Sequence, residues 1–114
     1  MFLAETFQSN MSEERLNKIK AFLENSPNDP FLLYALAKEH EKLNDEKSAI
    51  AQFENLIESH PEYVGTYYHL GKIYERQNEI EKAISVYENG ISIAKKKGDK
   101  HALGELASAK MLIE

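Results

Sequence analysis

The sequence repeats itself with a period of 34 residues. When it is shifted by that interval, residues 30–63 align with residues 64–97, and ten of the 34 aligned pairs are identical. The identical pairs are Tyr34/Tyr68, Leu36/Leu70, Lys38/Lys72, Glu41/Glu75, Asn44/Asn78, Ala49/Ala83, Ile50/Ile84, Glu54/Glu88, Asn55/Asn89 and Ile57/Ile91. A fixed period of this length is typical of a solenoid, in which each unit buries its apolar face against the next unit.

Each repeat has the pattern of a helical hairpin. A short polar turn, Asn44-Asp45 in the first repeat and Asn78-Glu79 in the second, separates two segments in which apolar residues recur at helical spacing. Pro61 ends the first hairpin, because proline cannot continue a helix. The helical period continues through Gly90, so we expect it to be a helix position that permits a close neighbour.

A recognisable motif accompanies the period. The second repeat reads Tyr67-x2-Leu70-Gly71-x2-Tyr74 followed by Ala83-x3-Tyr87, and the first reads Leu33-x2-Leu36-Ala37-x2-His40, Ala49-x3-Phe53 and Pro61. This pattern resembles the tetratricopeptide repeat, Trp-x2-Leu-Gly-x2-Tyr, then Ala-x3-Phe, then Pro, and the first repeat departs from it at the Trp, Gly and Tyr positions. The small residues at 37/71 and 49/83 are expected to let the two helices of a hairpin approach each other.

The segments that flank the repeats fit the same plan in reduced form. Residues 12–25 are predicted to be the second helix of an incomplete repeat, with Ser12 as its N-cap. Gly98 and Asp99 predict the start of a last helix over 99–113, which would cover the open end of the stack. Residues 1–11 are predicted to be a flexible N-terminal extension.

Together these features predict an all-α fold, a short right-handed α-solenoid of antiparallel helical hairpins. It would contain about two full repeats, 30–63 and 64–97, and flanking half-repeat helices in one helical domain over residues 12–114. With only three prolines and five glycines, the chain has too few turn residues for a small β-sandwich. The six predicted helices span 12–25, 30–43, 46–59, 64–77, 80–96 and 99–113.

Composition and motifs argue against several functions. A net charge of −5 repels the phosphate backbone of nucleic acid, and no apolar run is long enough to span a membrane. The first residues lack a basic secretory n-region and the chain has no cysteine, so we expect a cytoplasmic protein. The histidines lack metal-ligand spacing, and no glycine-rich phosphate loop follows a strand. We therefore predict no catalytic residue, no cofactor and no metal site, and hence no enzyme.

One face of the first helix in each repeat is not needed for the stack. In tetratricopeptide repeat proteins the first helices line a concave groove, so the resemblance implies a non-catalytic scaffold that binds a peptide segment or a partner helix. Tyr-x3-Lys recurs on this face, which favours an acidic partner, although the same face is also compatible with plain solvation. The predicted binding residues are Phe31, Tyr34, Lys38 and Lys42 in the first repeat and Tyr68, His69, Lys72 and Arg76 in the second.

Two alternatives remain open from the sequence. So short a stack leaves end faces that could pair, which makes a self-assembly module and a homo-oligomer the competing hypothesis. The basic run Lys95–Lys97 is interpreted as a helix end that favours cations near its negative pole, or else as a docking patch for an acidic partner.

Overall fold

A computed structural model describes the backbone of residues 2–114 and the side chains of residues 10–114. The described residues form six α-helices and no β-strand, which confirms the predicted all-α class. The helices α2 to α6 begin and end within one residue of the bounds expected from the sequence. The six helices are α1 Phe2–Asn25, α2 Pro30–Lys42, α3 Glu46–Ser59, α4 Gly65–Arg76, α5 Ile80–Lys97 and α6 Lys100–Ile113.

The first helix starts earlier than the sequence analysis predicted. Because α1 begins at Phe2, Ser12 lies inside the helix and is buried, so the interpretation of Ser12 as an N-cap is wrong. The physical reason is that the chain before Ser12 contains no proline or glycine that would stop a helix. The predicted flexibility of residues 1–11 falls partly on Met1 and on the side chains of residues 2–9, which lie outside the described part, and it stays a prediction.

The chain divides into two compact units, Met1–Gln52 and Phe53–Glu114, with the boundary inside α3. In the first unit α1 packs against α2. In the second unit α5 packs against both α4 and α6, and α4 also contacts α6. The single domain over residues 12–114 stays a prediction.

Three helices end in the same turn. Asn44, Asn78 and Gly98 adopt left-handed backbone angles, with φ of 62°, 61° and 69°. In each turn the N–H of the following residue donates to a carbonyl five residues back: Asp45 to His40 at 2.9 Å, Glu79 to Tyr74 at 2.8 Å and Asp99 to Ala94 at 2.9 Å. This pattern satisfies carbonyls at the end of a helix, and asparagine and glycine are the residues that tolerate it. The predicted polar turns are therefore confirmed.

The α4–α5 pair in the second unit is built around two glycines. A Cβ added to Gly71 would lie 2.6 Å from Cζ of Tyr87, and one added to Gly90 would lie 2.6 Å from Cβ of Tyr67. Both glycines are therefore positions where α4 and α5 approach closely, as predicted. The buried apolar residues of this unit are Phe53, Leu56, Tyr67, Leu70, Ile73, Tyr74, Ala83, Tyr87, Ala94, Leu106 and Ala109.

Candidate functional site

The second unit carries an open groove of about 570 Å³ between α4 and α6. Two predicted binding residues, Tyr68 and Lys72, line it from α4. They stand four residues apart and therefore project from the same face of that helix. The α6 side of the groove consists of Lys100, His101, Gly104, Glu105, Ser108, Ala109 and Leu112.

Lys72 is held in place by two neighbours. Its Nζ atom lies 5.5 Å from the centroid of the Tyr68 ring and 3.4 Å from Oε2 of Glu75. The same Glu75 oxygen accepts a hydrogen bond from the hydroxyl of Tyr87 on α5. Burial, and next the Glu75 carboxylate, raise the pKa of Tyr87 far above its ordinary value, so this phenol stays a hydrogen-bond donor. Lys72 is thus a positioned cation whose charge Glu75 partly balances.

His69 and Arg76 do not line this groove. The His69 ring stacks on Phe53, with centroids 6.1 Å apart and planes 15° from parallel, and it meets Tyr68 edge-on at 5.9 Å. His69 therefore contacts both Phe53 and Tyr68 and helps to orient the Tyr68 ring. Arg76 is exposed in the last turn of α4, where a cation suits the negative end of the helix.

The first repeat shows the same tyrosine–lysine geometry in the other unit. Nζ of Lys38 lies 5.6 Å from the ring centroid of Tyr34, and Phe31 is exposed in the first turn of α2. Lys42 is engaged within its own unit, because its Nζ lies 3.4 Å from Oε1 of Glu39. That nearly buried carboxylate oxygen also lies 4.0 Å from Nη1 of Arg15 on α1, so Lys42 belongs to a local ion-pair cluster.

The α6 wall of the groove was missed by the sequence analysis, which gave this helix only a covering role. Leu112 is 78% exposed, and His101 Nε2 lies 2.6 Å from Oε1 of Glu105. Lys100 forms no ion pair with the described residues, in contrast to Lys72 and His101. The sequence does contain one indication of this wall. Leu112 is a large apolar residue at a position of α6 that the apolar spacing predicts to face away from the core.

A second groove, of about 620 Å³, lies in the first unit and contains no predicted binding residue. Nδ1 of His40 lies 3.5 Å from Oδ2 of Asp45 there. Hydrogen bonds from Ser48, aided by His40, lower the pKa of the Asp45 carboxyl. The other lining residues are Glu13, Leu16, Asn17 and Leu43.

The described residues contain no cluster of three histidine, aspartate or glutamate side chains that could hold a metal ion. In the same part of the chain, none of the helices combines the length and the apolar character needed to cross a bilayer. The basic run Lys95–Lys97 occupies the last turn of α5, where Nζ of Lys97 donates to the Glu62 carbonyl oxygen at 2.9 Å.

Comparison with known proteins points to one family. The tetratricopeptide repeat model matches residues 32–63 and 64–97. The crystal structure of a tetratricopeptide repeat domain protein from Salinibacter ruber is 49% identical to this chain, covering 75% of it and 94% of that protein, with a TM-score of 0.71. A solution NMR structure of such a protein from the same organism is 50% identical, covers 77% of this chain and 89% of that chain, and has a TM-score of 0.75.

A more distant likeness concerns the fold alone. The crystal structure of MamA is 22% identical to this chain, covering 88% of it and 65% of that protein, with a TM-score of 0.66. A comparison with curated proteins found no match.

Proposed function

Because the chain belongs to the tetratricopeptide repeat family, we propose that it is a non-catalytic scaffold that binds a peptide segment or a helix of a partner protein. Members of this family generally mediate protein–protein interaction, and they are typically not enzymes. A cytoplasmic location stays the prediction made from the sequence.

The observation that carries the proposal is the open groove between α4 and α6. Its walls combine exposed apolar surface at Leu112, the half-buried ring of Tyr68 and the cations Lys72 and Lys100. Aromatic and long apolar side chains supply contact area, and lysines attract carboxylates. This combination favours a segment in which an acidic side chain accompanies a large apolar one.

The groove is preorganised, which supports specific binding. The chain of contacts from Tyr87 through Glu75 to Lys72 fixes the lysine, and His69 supports the Tyr68 ring. A side chain that is already ordered loses less conformational entropy when a partner binds. Tyr34 and Lys38 in the first repeat are equivalent to Tyr68 and Lys72 in the second. The proposal therefore includes further contacts by the other residues of the predicted binding face, which are Phe31, Tyr34, Lys38 and Lys42 in the first unit and Arg76 in the second.

The test uses peptides selected against the full chain from a displayed library of random sequences. We expect the enriched peptides to contain aspartate or glutamate next to aromatic or aliphatic residues. Titration of one such peptide should show that Tyr68→Ala and Lys72→Ala each weaken binding about fivefold or more, as for central interface residues. Binding should also weaken as salt is added, because the carboxylate–lysine attraction is screened.

A matched control is available in Lys82, which lies over Tyr74 at 5.6 Å but does not line the groove. Lys82→Ala removes the same kind of cation–aromatic pair and should leave the peptide affinity unchanged. The proposal is wrong if the two groove variants bind the selected peptide as tightly as the unmodified protein, or if Lys82→Ala weakens binding equally.

A further inference from the structure

The outer face of α6 does not have the composition of a solvated cap. Along this face the residues follow a 4-3-4-3 spacing, and we call them the α6 stripe: Lys100, Gly104, Ala107, Met111 and Glu114. Met111 is 66% exposed, and a Cβ placed on Gly104 would meet no atom within 4 Å. The solvent-exposed face of a helix is ordinarily charged or polar. The three central positions of the α6 stripe are exposed but uncharged.

We propose that the α6 stripe is a self-association surface, on which the same helix of a second copy of this chain packs in antiparallel orientation. The 4-3 spacing keeps one seam facing a partner helix along its whole length. The small residues Gly104 and Ala107 permit close approach of the two backbones, which leaves room for the exposed Met111 of the other copy. Lys100 and Gly104 also line the groove between α4 and α6, whereas Ala107, Met111 and Glu114 do not, so Met111→Glu tests the α6 stripe without changing a residue of the groove.

The charges of the α6 stripe favour a second copy of this chain over a partner whose contact surface is wholly acidic or wholly basic. Lys100 begins α6 and Glu114 directly follows it, so the stripe has a lysine at one end and a glutamate at the other. Oε2 of Glu114 also lies 3.7 Å from Nζ of Lys110, but the Glu114 side chain is half exposed and remains accessible to a second copy. Antiparallel pairing brings the Lys100 end of each copy next to the Glu114 end of the other and opposes the two helix dipoles. Parallel pairing would bring like charges together. The uncharged centre matters because two copies of a chain with a net charge of −5 repel each other elsewhere.

The length of α6 sets the strength of the association. A helix of 14 residues spans ~21 Å, so a contact through one such helix per copy falls at or below the ~1,200 Å² typical of stable interfaces. The dimer should therefore form reversibly and only at high protein concentration.

The first experiment is sedimentation velocity on the full chain over a wide range of protein concentration. We expect a reversible monomer–dimer equilibrium, and we expect Met111→Glu to raise the midpoint concentration at least tenfold. The matched control is Phe22→Glu in α1, because Phe22 is exposed to nearly the same extent, 62%. A chain that stays monomeric throughout would overturn the proposal, as would dimers that Phe22→Glu dissociates and Met111→Glu does not. Circular dichroism verifies that both variants remain helical.

The second experiment tests the orientation by charge reversal. In an antiparallel pair, Lys100→Glu and Glu114→Lys each replace two attractive contacts by two repulsive ones, so each should raise the midpoint concentration about fivefold. The double variant restores opposite charges across the pair and should recover the original midpoint. Failure of the double variant to recover would refute the antiparallel arrangement, since a parallel pair gains nothing from exchanging the two charges.

Discussion

Replacing Gly90 by alanine should destabilise the protein, although alanine is the better helix former. The new Cβ would lie 2.6 Å from Cβ of Tyr67 and 2.9 Å from its Cγ. Cβ is bonded directly to the backbone of α4 and does not move when the side chain rotates, so rotation of the Tyr67 ring cannot relieve the overlap. Tyr67 is also buried, and its hydroxyl donates to the Pro61 carbonyl oxygen at 2.6 Å. The two helices must therefore move apart to accept the methyl group.

The magnitude follows from two opposing effects. Forcing one extra methyl group into a packed contact costs ~1 to 3 kcal/mol, while the gain in helix propensity from glycine to alanine is ~1 kcal/mol. We expect Gly90→Ala to lower the free energy of unfolding by up to ~2 kcal/mol. Gly104→Ala in α6 has the same propensity gain without any contact within 4 Å, so it should stabilise the chain by ~1 kcal/mol.

The assay is urea unfolding of the full chain, followed by far-ultraviolet circular dichroism, for both variants and the unmodified protein. The midpoints should move in opposite directions with unchanged slopes, and the two variants should differ by ~1 to 3 kcal/mol. If Gly90→Ala were as stabilising as Gly104→Ala, the close approach of α4 and α5 at Gly90 would be refuted. Because both substitutions add one methyl group to a helix interior, the propensity gain cancels in their difference.

Two further predictions concern a turn and the buried phenols. Asn78→Ala should lower the free energy of unfolding by ~1 kcal/mol, because alanine tolerates the left-handed backbone at this position poorly. Asn78→Gly should be nearly neutral, since glycine adopts these angles freely. Equal melting temperatures for the two variants would contradict the observed turn. Burial raises the pKa of Tyr67, Tyr74 and Tyr87, so the stability they contribute is complete below their ordinary pKa of 10.0 and is lost as the pH rises above it. Stability measured against pH should fall in that alkaline range together with the appearance of phenolate absorbance, and Tyr87→Phe should make the fall shallower.

The parts of the fold that depend on neighbours in sequence were predictable. The ends of α2 and α4 follow from Asn44 and Asn78, and the end of α5 follows from Gly98, since each of these residues tolerates the left-handed turn. The start of α1 was not predictable, because Ser12 can cap a helix only if the chain before it leaves the helix, and nothing in residues 2–11 requires that. A cap residue permits a boundary without enforcing one.

The candidate site was predictable only in part, for a related reason. The tyrosine–lysine pairs at 34/38 and 68/72 follow from helical spacing alone, and the structure has both at nearly the same distance. That these residues bind a partner stays a prediction. The place of Leu112 in a groove was not predictable from the sequence, because it depends on the contact of α6 with α4.

The sequence by itself determined the helical hairpins and their turns, because turn residues and apolar spacing act over a few residues of the chain. It also determined the family, because the 34-residue period and its motif are visible along the chain without any tertiary contact. Only the tertiary structure decided that Glu75 joins Lys72 to Tyr87, that His69 stacks on Phe53 and that α6 forms a groove wall. Each of these features depends on a contact between different helices: Tyr87 with Glu75, Phe53 with His69, and α6 with α4. Their distances depend on how closely the helices pack, which at Gly71 and Gly90 is decided by side chains far away in sequence.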